Sequence, residues 1–213
     1  MDTRSVQAWV AAHGIDVGPI DGKWGPKTKK GVAQYNERYS DQTPLGRRKM
    51  WRIVMHWTAG GGVPNATDRK HYHVIVADDA TVTMGDLKPE ANINTADGQY
   101  AAHTRALNTG SIGISMAAMA LATERPFNAG AYPITERQLD AFVNEVADLA
   151  ETYDIPISKY TVLSHSEVQT TLNVRQRGKW DINWLPGMVE PGGPVEVGDE
   201  LRRRIIAASS AKG

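Results

Sequence analysis

Two histidines of this chain stand in the same local setting. His56 closes the apolar run Ile53-Val54-Met55 and opens onto Trp57-Thr58-Ala59-Gly60-Gly61, while His165 closes Val162-Leu163-Ser164 and opens onto Ser166-Glu167. A side chain at the end of a strand is held rigidly by the sheet, and the loop that follows leaves space above it, so ligand crevices form there in open α/β sheets. Either histidine alone reads as a hydrogen-bonded structural residue; both in one context read as a site. Two imidazoles and a carboxylate can hold a zinc ion with a fourth position left for water. The chain has no cysteine, so any metal must be held by histidines and carboxylates. Asp181, shortly after His165 and flanked by Lys179, Trp180 and Trp184, is the expected third ligand. It is preferred over Asp78 and Asp79, which fall in a turn where aspartate is favoured for backbone reasons alone.

Around such a centre, Thr58, His103, Arg105 and Asn108 are expected to line a substrate groove, where neutral hydrogen bonders and one cation suit a ligand with carboxylates. A surface ion pair is the competing reading of Arg105. Glu167 does not sit in a His-Glu-x-x-His pattern, so it is not placed as the base of a metalloprotease. It reads as a support for a ligand or as a helix starter. Trp57 and Trp180 can stack on a ligand or pack in the core.

The elements that must position these residues read as an α/β domain, a mixed central sheet flanked by helices, preceded by a small helical unit. Strands are expected at Ile53-Val54-Met55, His73-Val74-Ile75-Val76, Thr81-Val82-Thr83-Met84, Ile112 to Met116 and Thr161-Val162-Leu163. The clearest helix follows Thr135, with Gln138 as capping-box partner and Leu139, Phe142, Val143, Val146, Leu149, Ala150 and Tyr153 on one face. A tail helix is expected from Asp199 through Leu201, Ile205 and Ile206. In the first forty residues, Val6, Trp9 and Val10 repeat at helical spacing up to Gly14. After a turn-rich stretch, Pro26 opens a second helix through Val32, Tyr35 and Tyr39. The expected organisation is a helical domain over 1–42, a linker over 43–50 and the main domain over 51–213. A unit of about 40 residues is too small to be stable without staples, so it is expected to lean on its neighbour.

Lysine plus arginine and aspartate plus glutamate number 24 each, giving zero formal charge. Such a balance offers no global attraction for nucleic acid and no stable association with an anionic membrane. The basic residues that crowd the first fifty positions, from Lys23 to Lys49, read as a solvated face. The N-terminus lacks the apolar core of a secretory signal, and no run approaches the ~20 apolar residues of a membrane span. The expectation is a monomer made in the cytoplasm.

In this order along the chain, His56-Trp57-Thr58-Ala59, Tyr72-His73, Ala102-His103-Thr104 with Asn108 to Gly113, Ser164 to Val168, and Gly178-Lys179-Trp180-Asp181 together resemble the zinc-dependent N-acetylmuramoyl-L-alanine amidases of phage endolysins. Their fold is shared with animal peptidoglycan recognition proteins. The resemblance covers about residues 50–187. It implies that His56, His165 and Asp181 bind one Zn2+ ion, with aspartate where other members carry cysteine. It also implies that Tyr72 and Lys179 take part in catalysis, and that the substrate is the amide between the lactyl group of N-acetylmuramic acid and L-alanine of the stem peptide. Peptidoglycan is then the partner, and the implied setting is a phage endolysin made in the host cytoplasm and acting at the cell wall. A noncatalytic peptidoglycan receptor on the same fold and a zinc peptidase cutting within the stem peptide are the alternatives. Residues 4–40 are similar to a shortened form of the small peptidoglycan-binding domain often fused to such hydrolases. The tripeptide Gly-Lys-Trp occurs in both parts, and Lys23 is expected in solvent, Lys179 in the cleft.

Overall fold

The computed structural model describes residues 1–39 and 50–211. Among these, β1 (Arg52–Trp57), β2 (Val74–Val76), β3 (Val82–Met84), β4 (Ser111–Met116) and β5 (Val162–Ser164) form one sheet in the order β3-β2-β4-β1-β5. β1 runs parallel to both β4 and β5, β2 runs parallel to β4, and only the edge strand β3 pairs antiparallel, with β2. The expected mixed sheet is therefore present. Parallel strands are covered on both faces, and every residue of β1 and β4 is buried, whereas the edge strand β3 is largely exposed.

Alternation along β1 divides its residues between two cores. Ile53, Met55 and Trp57 enter the main core, which α4 (Glu136–Thr152) covers with Leu139, Phe142 and Val146, and α6 (Pro194–Ser210) with Val197, Leu201 and Ile205. The apolar face read for α4 is the buried one. Thr135 caps this helix by accepting from the Gln138 backbone N–H, but Gln138 does not complete a capping box. Its side-chain amide instead donates to the carbonyls of Val76 (3.0 Å), which also accepts from the Ala117 N–H, and of Ala117 (3.1 Å), partners that burial beside the sheet brings to it. Helix α6 starts five residues earlier than the sequence pattern suggests, with Pro194 in its first turn, where the missing N–H costs nothing. Helix α3 (Ala66–His71), unmarked by apolar periodicity, is fixed by a capping box between Asn65 and Asp68.

Val54 faces the other way and packs with Leu163 against Val168 and Leu172 of α5 (His165–Leu172) and Ala8 of α1 (Thr3–Ala12). Trp51, just before β1, joins Val6, Trp9, Val10 and Ile15, together with Tyr35 of α2 (Pro26–Arg38). Helix α1 thus joins the second core through Ala8, and α1 and α2 together form a further cluster closed by Trp51. Arg52, fully buried, donates to Ser111 Oγ on β4 (3.1 Å) and to Ser5 Oγ on α1 (3.4 Å), and burial lowers its pKa to about 10. The expected linker, 43–50, lies outside the described residues except for Met50, which is buried in the main core. Among the described residues no helix is long and apolar enough to cross a membrane.

Candidate metal centre

His56 and His165 reach one point from different elements. His56 lies at the C-terminal end of β1, next to last in the strand, and His165 is the first residue of α5, directly after β5, which lies beside β1 in the sheet. Their rings are 4.7 Å apart, centroid to centroid. Asp181 arrives from the loop after α5, which is pinned to the start of that helix by the Ser166 N–H donating to the Asp181 carbonyl (2.7 Å). One carboxylate oxygen, Asp181 Oδ2, lies 3.0 Å from His56 Nδ1 and 3.1 Å from His165 Nδ1. All three residues are buried, and one ligand atom from each lies within 4.8 Å of the others. Around a tetrahedral zinc with bonds of ~2.0 Å, neighbouring ligand atoms are about 3.3 Å apart. The donor set and its convergence fit such an ion, and among the described residues this is the group that could hold one.

The electrostatics suit ligation. Burial holds the His56 pKa down at about 4, so its ring is neutral at physiological pH and its lone pair is free for a metal. Burial pushes the Asp181 carboxyl up, but its contacts with His165 and His56 outweigh this and hold it well below the usual carboxylate range. Behind His56 stands a row of buried imidazoles: His103, and then His73, which burial also lowers to about 4.

The neighbouring groups fall into three kinds. Tyr72 follows α3, with its ring 5.2 Å from that of His56, and its hydroxyl shares a hydrogen bond with Ser115; burial raises its pKa, so the phenol stays protonated. Lys179 is exposed, yet near enough that its charge depresses the His56 pKa after the larger effect of burial. It borders a polar groove of about 420 Å³ whose walls include Ser166, Gln176, Asn183, Glu124 and Arg125. Glu167 faces away from the ligands. Its carboxylate accepts from the Ser164 N–H (2.8 Å), completing a capping box that starts α5 at His165, and is held bidentately by Arg202 of α6 (2.8 and 3.1 Å). Gly198 makes room for that pair, since a Cβ there would lie 2.0 Å from the carboxylate.

Of the four residues read as groove-lining, Arg105 presents an exposed side chain. Thr58 Oγ1 accepts from the backbone N–H groups of Gly60 and Ala118, and Asn108 Oδ1 from that of Thr104, so both hold loops. His103 is buried behind His56, with its ring over Gly113, where a Cβ would lie 2.4 Å from it. Trp57 and Trp180 pack edge to face at 4.6 Å, Trp57 buried and Trp180 half-buried. Two further residues meet the imidazoles: Gln176, which carries no mark in the sequence, meets His165, and Thr104, which lies within the Ala102-His103-Thr104 motif but takes no role from it, meets His56.

The strand ends of this sheet gather two imidazoles and a carboxylate into a buried group that could hold a metal ion. The profile of the N-acetylmuramoyl-L-alanine amidase family matches residues 46–187, and the chain belongs to that family. Among solved structures it is similar to N-acetylmuramoyl-L-alanine amidase LysC from Clostridium intestinale, at 15% identity and TM-score 0.44, over 77% of this chain and 91% of that one. It is also similar to Drosophila peptidoglycan recognition protein SD, at 17% identity and TM-score 0.39, over 73% and 96% of the two chains. A third similarity, at 21% identity and TM-score 0.37 over 55% and 70%, is to the ectodomain complex of peptidoglycan recognition proteins LCa and LCx bound to tracheal cytotoxin. No curated protein matches the chain.

Proposed function

We propose that the chain is a zinc-dependent N-acetylmuramoyl-L-alanine amidase that hydrolyses the bond between the lactyl carbonyl of N-acetylmuramic acid and the amino group of L-alanine. The carrying observation is the convergence of His56, His165 and Asp181 on one buried point, with Tyr72 and Lys179 beside it. Zinc held by those three residues would supply Lewis-acid polarisation of the carbonyl and activation of water. The rest falls to side chains. The Lys179 ammonium, exposed at the mouth of the groove, stabilises negative charge developing on the carbonyl oxygen. Tyr72, protonated at neutral pH, orients the attacking water or passes a proton as a donor, and is unsuited to act as the base. The groove beside Lys179, with charges of both signs, suits a stem peptide bearing carboxylates and an amine. Addition of water across the amide yields a lactyl carboxylate and a free L-alanine amine.

The setting proposed is that of a monomeric phage endolysin, made in the host cytoplasm and reaching the wall after the membrane is breached, with the N-terminal helices contributing to wall contact. The deciding experiment is mass spectrometry of fragments released from purified sacculi. New L-alanine N-termini, abolished by a chelator and restored by zinc, are expected. Fragments cut inside the stem peptide would replace the amidase by a peptidase. Binding to sacculi with no fragments from the zinc-loaded protein would leave a receptor.

A further inference from the structure

Each imidazole of the proposed zinc pair is held at its second nitrogen by a neutral group whose own polarity is fixed. At His165, Nε2 lies 2.9 Å from Gln176 Oε1. The orientation of that amide follows from its other contacts. The Gln176 nitrogen faces the backbone carbonyls of Arg105 (3.0 Å) and Val174 (3.2 Å), which can only accept, so the oxygen must face the ring and His165 must donate from Nε2. At His56, Nε2 lies 3.3 Å from Thr104 Oγ1 and 3.3 Å from His103 Nδ1. His103 Nε2 faces the Ser111 carbonyl (3.2 Å) and must donate to it, which leaves His103 Nδ1 as an acceptor. The Thr104 hydroxyl, 2.8 Å away, fills that acceptor with its one proton and offers its oxygen to His56 Nε2–H. Both relays end on backbone carbonyls, and both run through residues 103–105: Thr104 by its hydroxyl, Arg105 by its carbonyl. Neither contains a carboxylate.

We propose that Gln176 and Thr104 are positioning residues that lock His165 and His56 with Nε2 protonated and Nδ1 bare toward the ion, and that the 103–105 segment is the common template for both. This rests on the reading of the site as a zinc centre. Groups that hold the far nitrogen of a metal-bound histidine fix its tautomer and the aim of its ring. Because these are neutral, Asp181 is the one anionic group among the three ligands and their relays, and a zinc ion there keeps more of its electrophilic charge than one backed by carboxylates.

The test is zinc affinity by competition with a chromophoric chelator, alongside the visible spectrum of the cobalt-substituted protein and the melting curve of the chelated protein. Thr104→Val removes the hydroxyl from a buried site with little change of shape, and Thr104→Ser restores it. Gln176→Met removes the acceptor at similar length. Roughly 10- to 100-fold weaker zinc binding is expected for Thr104→Val and Gln176→Met, with altered cobalt spectra, and near-normal affinity for Thr104→Ser. Affinity within threefold of the parent in both Thr104→Val and Gln176→Met overturns the proposal, and so does Thr104→Ser losing as much as Thr104→Val, which marks a role in folding alone. If the parent protein binds no zinc, the proposed function fails with it; if the parent binds zinc and the variants match it, this inference alone falls.

Discussion

Gly22-Lys23-Trp24 and Gly178-Lys179-Trp180 are the same three residues in two loops with opposite surroundings. The first loop is held from inside by Gln7. That amide donates to Asp21 Oδ1 (3.1 Å), the Lys23 carbonyl (3.1 Å) and Thr28 Oγ1 (3.0 Å), and accepts from the Gly22 N–H (2.8 Å). Its lysine and tryptophan are left to solvent, Trp24 being 47% exposed. In the second loop Trp180 packs on Trp57, the next residue is a buried carboxylate touching two imidazoles, and the lysine charge is felt at His56. Residue type sets what a side chain can do; the field around it decides whether it does it. In one copy the loop's polar bonds serve its own backbone, in the other they serve a centre assembled from three elements.

Asp181→Ala strikes the second loop hardest. Zinc affinity is expected to fall by more than about 100-fold and activity on sacculi to vanish, as read by metal analysis and amine release. Lys179→Ala should keep its zinc and lose roughly 100- to 1000-fold in turnover, a split visible when metal content and rate are measured on the same sample. The same change at Lys23 should leave both unaltered, and loss of turnover there would erase the contrast. Acid separates the regions further. His73, in the row behind His56, has its pKa lowered to about 4 by burial, so the unfolded chain takes up its proton first as pH falls. The stability this buried neutral ring contributes is complete above pH ~6.5 and is lost toward pH ~4, up to about 3 kcal/mol. Urea midpoints of the chelated protein at pH 7.5 and 4.5, compared with those of His73→Asn, measure it. Gln7→Ala should cost about 1–3 kcal/mol through the groups it orphans, with specific activity unchanged in the folded fraction. Trp24→Ala should shift stability by no more than about 0.5 kcal/mol.

The order of elements and the meeting of His56 with His165 were legible because they depend on local pattern: a histidine at or just past the end of a strand, and a helix with one apolar stripe. What stayed hidden depends on partners distant in sequence. Gln138 reads as a capping residue until Val76 and Ala117 are brought to its amide. Glu167 reads equally as a ligand support and a helix starter until Arg202, thirty-five positions on, takes its carboxylate. Gln176 sits in a stretch with no periodicity, and only the fold sets it between His165 and two carbonyls. The lean of the N-terminal helices on their neighbour follows from size alone, but not that Trp51 and Arg52 would be the joint.

The Arg202–Glu167 clamp has a consequence for the order in which this protein becomes competent. His56, His165 and Asp181 have all been synthesised by residue 181, yet the helix that presents His165 is braced by a guanidinium twenty-one residues further on, seated where Gly198 leaves a gap. Only once α6 has been made can that brace form, so the aim of His165 depends on the C-terminal helix.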